Sequence, residues 1–266
     1  MSDYPSDASG LFFMLFSQFR PAILSFSQPA ARQLPPEFLL HQEGALSEYY
    51  IPFDYLNPAA RIVLVGITPG YQQWLNAVTA AQQSLLNGDT DQQALYLAKQ
   101  QGAFSGAIRN NLTQLLDVIG LADWLGIHSC RSLFAKDMAL VHFTSLFNQP
   151  VFVNGKNYNN TPSFQRSSLL RQSIERGFTA EARQLPQAVF VPLGPVATAG
   201  VAWLAEQQLI DSARILTGLP HPSGANSERI HYFLGKKPRE ALSRQTNPAL
   251  LDQAKELLLQ KVTALR

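Results

Sequence analysis

Two short stretches carry residue types that can do chemistry. In residues 215–226, ILTGLPHPSGAN, a single histidine, His221, stands between Pro220 and Pro222. Each proline fixes its own φ and restricts the residue before it, so a stiff turn holds the imidazole. A held, neutral imidazole can donate a hydrogen bond to a developing oxyanion with little reorganisation. In residues 61–71, RIVLVGITPGY, an apolar β-branched run ends in Gly66-Ile67-Thr68-Pro69-Gly70. The Thr68 hydroxyl can position a water but cannot act as a carboxylate base at neutral pH. Each residue also has a plainer role open to it: a histidine tied to backbone in a buried turn, and a turn threonine bonded to nearby backbone.

Both stretches read as buried strands that deliver side chains at their carboxyl ends. Open α/β sheets bind ligands at those ends, so two such strand ends predict two walls of one pocket. Strands are expected over 61–67, 138–147, 188–193 and 214–219. Helices are expected over 71–99 with a break at Asn87-Gly88-Asp89, and over 108–120, 163–185, 195–208 and 250–265. Helices between strands give the βαβ pattern of a parallel sheet covered on both faces. Residues 1–35 read as an N-terminal extension with one helix over LFFMLFSQF. Residues 36–266 read as one domain, in which 37–58 is mostly connecting chain and 148–161 a polar loop.

Composition narrows the classes. Of 266 residues, 46% are hydrophobic, enough for a sizeable core, and the net charge is only +2, so any nucleic-acid contact must be local. The one cysteine, Cys130, excludes a disulfide framework and cysteine-rich zinc or iron–sulfur sites, and fits a reducing, cytoplasmic setting. The five histidines show no metal-ligand spacing, no phosphate-binding glycine loop is present, and no run reaches the length of a membrane span.

The two turns together resemble the uracil-DNA glycosylase superfamily. Its first motif is a strand ending in G-x-(D/N)-P-(Y/G), matched by Gly66 to Gly70. Its second is (H/N)-P-S with a short loop, matched by His221-Pro222-Ser223-Gly224-Ala225-Asn226. Three weaker features follow in order: Phe104-Ser105-Gly106 before a helix, Phe143-Thr144-Ser145-Leu146 at a strand end, and Val191-Pro192-Leu193-Gly194. The match runs from about residue 60 to the C-terminus, outside the four-cysteine iron–sulfur branch. It implies an α/β/α three-layer sandwich around a central, mainly parallel four-stranded sheet.

The resemblance also implies roles. His221 stabilises the leaving base and Thr68, where the family carries Asp or Asn, places water. Gly66, Ile67, Gly70 and Tyr71 border the base, Phe104 stacks on it, and Ser145 or His142 reads its edge. Ser223, Gly224, Ala225, Asn226, Arg229, Lys236 and Lys237 contact DNA. No cofactor or metal is implied. The implied partner is DNA, single-stranded or distorted because the Ala225 methyl cannot fill a vacated stack, and a monomer is expected. The implied activity is hydrolysis of the N-glycosidic bond of uracil or another deaminated or modified base. Two alternatives stand beside it: a nucleic-acid or nucleotide-binding module that has lost hydrolysis, and a hydrolase of nucleosides or modified bases.

Overall fold

The computed structural model describes residues 8–28 and 32–265. Residues 1–7 and 29–31 of the predicted extension lie outside this range. Within it, α1 (Ala8–Leu24) is followed by β1 (Leu39–Glu43), β2 (Leu46–Tyr49) and β3 (Ile62–Gly66). Helices α2 (Tyr71–Leu86), α3 (Asp91–Gly102), α4 (Ala107–Val118) and α5 (Leu121–Leu125) come next, then β4 (Val141–Ser145), β5 (Val151–Val153) and β6 (Lys156–Asn157). The chain continues through α6 (Ser168–Arg176), α7 (Phe178–Arg183), β7 (Val189–Pro192), α8 (Pro195–Glu206), α9 (Ser227–Phe233) and α10 (Pro248–Ala264). The class is α/β, as expected. The chain divides into two compact units, each assembled from three segments: 1–58, 67–105 and 143–184 in the first, and 59–66, 106–142 and 185–266 in the second.

The core of the first unit is aromatic. Helix α2 buries Trp74, Ala77, Val78, Ala81 and Leu85, a spacing of three and four that makes one apolar face. Against it pack Phe16, Phe19 and Ile23 of α1, with Phe38 and Tyr50. Phe19 stacks on Tyr50 at 4.3 Å, and the Trp74 indole N–H donates to the Tyr50 carbonyl at 2.8 Å. The stretch read as an extension therefore supplies core, because Phe16, Phe19 and Phe26 have an apolar partner face to cover. Gln82 donates to the carbonyls of Leu24 and Phe26, satisfying backbone acceptors just beyond the helix end. Helix α3 starts where the Thr90 side chain accepts from the Gln93 N–H.

This unit also holds an antiparallel sheet in the order β1-β2-β5-β6, where the sequence reading expected connecting chain and loop. Its strands are short and β1 is half to fully exposed, so they lack the apolar run that marks a buried strand. Strands β5 and β6 join through Asn154-Gly155, both at positive φ.

In the second unit, β3 and β7 pair in parallel from Ile62↔Val189 to Val65↔Pro192, and every residue of both is buried. The three-stranded sheet to which they belong has the order β4-β3-β7, and of β4 only Val141 and His142 fall within this unit. The expected fourth strand, 214–219, reduces to one parallel bridge, Phe190↔Ile215, among the described residues. The run leaves the ladder at Gly218, φ +112°, where an added Cβ would lie 2.9 Å from the Ala254 Cβ of α10. Close passage over α10 thus replaces further pairing. Helix α10 begins with Asn247, whose side chain accepts from the Leu250 N–H, followed by Pro248 in the first turn.

No described helix is long and apolar enough to cross a membrane. Among the described residues, no group of three or more His, Cys, Asp or Glu side chains is placed to hold a metal ion.

Candidate functional site

In the first unit a cavity opens beside the ends of α3 and β4. Phe53, Phe104 and Phe143 form its apolar wall, and Gln73, Asn148 and Gln149 bring amides. The Thr144 and Ser145 hydroxyls and three charged side chains, Asp54, Lys99 and Glu181, complete the lining. The space open to a water centre is about 20 Å³, which suits a water rather than a ring. Gly102 lets the wall close up: a Cβ there would meet Ala77, the Gln73 carbonyl and Phe53, each at 2.9 Å.

The charged groups are individually anchored. The Tyr50 hydroxyl donates to Asp54 Oδ2 at 2.5 Å. Lys99 donates to the Tyr55 carbonyl at 2.7 Å and pairs with Glu181 at 3.8 Å, with both side chains almost wholly buried. Glu181 also accepts the Thr144 hydroxyl. Burial pushes the Asp54 carboxyl up to about 7, against the downward pull of the Tyr50 hydrogen bond and the Lys99 charge. Burial lowers Lys99 in turn, while Glu181 and Asp54 hold it up. Asn148 packs on Gly177, where a Cβ would approach its Cγ to 2.9 Å, and its buried Oδ1 has no donor among the described residues.

Of the predicted residues in this unit, Phe104 and Ser145 line the cavity. Phe104 is 7% exposed, meets Phe143 edge-on at 6.0 Å, and gives its backbone N–H to Gln73 at 3.0 Å. Its φ of +50° is a costly conformation for an aromatic residue. Thr68, Gly70 and Tyr71 stand outside the lining. The Thr68 hydroxyl donates to the Gln149 carbonyl at 3.1 Å and accepts from the Val151 N–H at 3.0 Å, so its one proton is committed to backbone. The Ile67 carbonyl accepts from the Phe147 N–H. Gly70 precedes α2, and Tyr71 is buried among the aromatics with its N–H directed to Asn157.

In the second unit His221 is half-buried at the edge of a cleft of about 590 Å³, lined also by Gly194, Thr198, Thr217, Asn226 and Arg229. The Ser223 N–H donates to His221 Nδ1 at 3.3 Å, which places the ring proton on Nε2 when the imidazole is neutral. Burial lowers its pKa and so favours that neutral form. Gly194, φ +89°, leaves room for the ring, since a Cβ there would lie 3.0 Å from His221 Cδ2. Asn111 of α4 anchors the loop by donating to the Pro222 carbonyl at 2.9 Å. Gly66 closes β3 and is buried, His142 is 1% exposed within β4, and Gly224 and Ala225 are exposed.

The basic residues of this unit have partners of their own. Arg229 bonds to Asn226 and the Gln245 carbonyl, Lys236 to Gln114, and Lys237 to Glu228 at 2.7 Å. Glu228 also accepts from Ser243 and Thr246, and the Lys237 hydrogen bond chief among these holds its carboxyl well below the usual range.

Sequence reasoning missed Asp54, Lys99, Glu181 and Asn148. A signal existed for two of them. Lys99 shares the helical face of Ala94, Leu95, Ala98 and Gly102, and Glu181 shares that of Phe178 and Ala182, so each is a charge on an apolar stripe.

No family model matches the chain, and no solved structure matches it. A curated relative from Bacillus subtilis (strain 168), "Uncharacterized protein YoxB", is 38% identical over 228 residues, covering 84% of this chain and 88% of that protein. Identity of that extent shows common descent along most of both chains, and this chain belongs to the same family as YoxB.

Proposed function

We propose that this chain hydrolyses the N-glycosidic bond of uracil or another deaminated or modified base in DNA. It acts as a cytoplasmic, cofactor-independent monomer of the uracil-DNA glycosylase superfamily, with that superfamily's three-layer arrangement. The observation that carries this is the His221 loop. A neutral ring whose Nδ1 is held by the Ser223 N–H presents an Nε2 proton as donor, the form needed to meet negative charge on a departing base.

A second reading, a module that binds nucleic acid without hydrolysing it, is favoured by Thr68, whose proton is committed to the Gln149 carbonyl. One experiment separates the two. Single- and double-stranded oligonucleotides carrying uracil, hypoxanthine, xanthine or mismatched thymine are incubated with the protein and abasic sites are scored. Hydrolysis predicts cleavage that falls about 100- to 1,000-fold in His221→Ala. Tight binding without cleavage by the wild type establishes the second reading, and release of base from free nucleosides alone establishes a nucleoside hydrolase.

A further inference from the structure

We infer that the cavity of the first unit binds a water-sized monovalent cation, an ammonium or potassium ion, held by Asp54, Asn148 and Ser145. The site lies wholly within that unit and does not depend on the N-glycosidic reading.

Three observations lead to it. The first is an excess of charge. Two carboxylates, Asp54 and Glu181, line the cavity with one ammonium, Lys99. Lys99 is engaged by the Tyr55 carbonyl at 2.7 Å and by Glu181 at 3.8 Å, and Glu181 also accepts the Thr144 hydroxyl. Asp54 takes a neutral donor, the Tyr50 hydroxyl, on Oδ2. Ionised, it leaves the group with one negative charge too many, and buried charge without a counter-charge is costly. The second is a pair of polar atoms left without partners. Asn148 Oδ1 is buried and has no donor among the described residues. Ser145 is 8% exposed and lines the same space, and its hydroxyl bonds to none of the described residues. The third is size and lining. About 20 Å³ is open to a water centre, and ammonium and potassium ions are close to water in size. Phe53, Phe104 and Phe143 add aromatic walls, and aromatic faces attract cations.

The donor set and the charge select the ion. Carboxylate, amide and hydroxyl oxygens suit hard cations, and they equally accept the N–H groups of ammonium. The excess is a single charge, so a monovalent ion matches it and a divalent one overshoots beside Lys99. The groups facing Asp54 set when the site is formed. Burial and Glu181 raise its carboxyl, the Tyr50 hydroxyl and the Lys99 ammonium lower it, and the outcome is about 7. The cation is therefore held above that pH and released as Asp54 takes up a proton.

The test is urea unfolding of the full chain at pH 8 with rising potassium or ammonium chloride. Ionic strength is kept constant with N-methyl-D-glucamine chloride, whose cation is too large to enter. An ion that binds only the folded state should raise the ratio of folded to unfolded protein in a saturating curve, about 11-fold at ten times its dissociation constant. A saturating response to either ion supports the site, and the order of the two separates a directional hydrogen-bond donor from a spherical ion. The response should vanish at pH 5 and in Asp54→Asn, and weaken several-fold in Ser145→Ala, the milder change should Asp54→Asn fail to fold. Identical unfolding in all three salts, a response undiminished at pH 5, or one unchanged in either variant overturns the inference and leaves the cavity to water.

Discussion

Asp54→Asn should make the protein more stable at neutral pH, and the size of the effect follows from burial. The folded-state carboxyl sits at about 7 against an ordinary aspartate value of 3.8. For an acid raised by folding, the stabilisation is complete below the unfolded pKa and is lost as pH rises through the folded one. The window is therefore about pH 4 to 7. A difference of roughly three pH units at about 1.4 kcal/mol each makes an ionised Asp54 cost roughly 4 kcal/mol by pH 8, an upper value because water entry relieves part of it. Asparagine mimics the protonated acid, and its oxygen still accepts the Tyr50 hydroxyl. Wild type and Asp54→Asn should thus unfold at similar urea concentrations near pH 4 and diverge steadily toward pH 8, the variant being the more stable. Trp74 fluorescence reports this unit once Trp124 and Trp203 are replaced by phenylalanine. His221 works in the opposite sense, since its lowered pKa costs stability as pH falls below its ordinary value, but it is common to both proteins and cancels in the difference. A stability difference that stays flat from pH 4 to 8 would refute the claim that burial holds this carboxyl up.

Two further substitutions probe the frame. Phe16→Ala should cost about 3–5 kcal/mol in chemical denaturation of the first unit, because Phe16 is fully buried against α2; a loss under 1 kcal/mol would show α1 to be dispensable. Gly194→Ala adds a Cβ at φ +89° and 3.0 Å from the His221 ring. It should cost about 1–3 kcal/mol by calorimetry and displace the His221 ring resonances in an NMR spectrum, whereas unmoved resonances would mean that the imidazole does not depend on this glycine.

The parallel strands were legible because they are buried on both faces: 62–67 and 188–193 are unbroken apolar runs, and β3 and β7 fall within them. The amphipathic helices α4 and α10 were legible from their spacing. The antiparallel sheet was not, because LLHQE is largely exposed, and LSEY buries Leu46 and the charged Glu48 on one face, so neither strand shows an apolar alternation. One local signal there went unused, since Asn154-Gly155 between Val153 and Lys156 is the strongest short hairpin signature a sequence offers. At the site, the sequence located His221 because two prolines advertise a fixed turn. It gave no notice of Asp54, which sits in a stretch of aromatic anchors where nothing periodic marks a buried carboxylate. Nor could it show that Thr68 is bonded to backbone on a segment more than eighty residues away.

The interleaving of the two units has a consequence for how the protein is made. The chain passes from one unit to the other five times, so no single truncation point yields either unit whole. Ile62 must wait for Val189 to leave the ribosome before it acquires its lasting neighbour on that side. Pairings so distant in sequence close large loops and are slow to form, which leaves the apolar ribbon of β3 open to misassociation during synthesis. Nested rather than sequential assembly also means that a stop codon anywhere before the last segment removes part of the His221 unit, so that halves of this gene should be recovered as insoluble product rather than as working fragments.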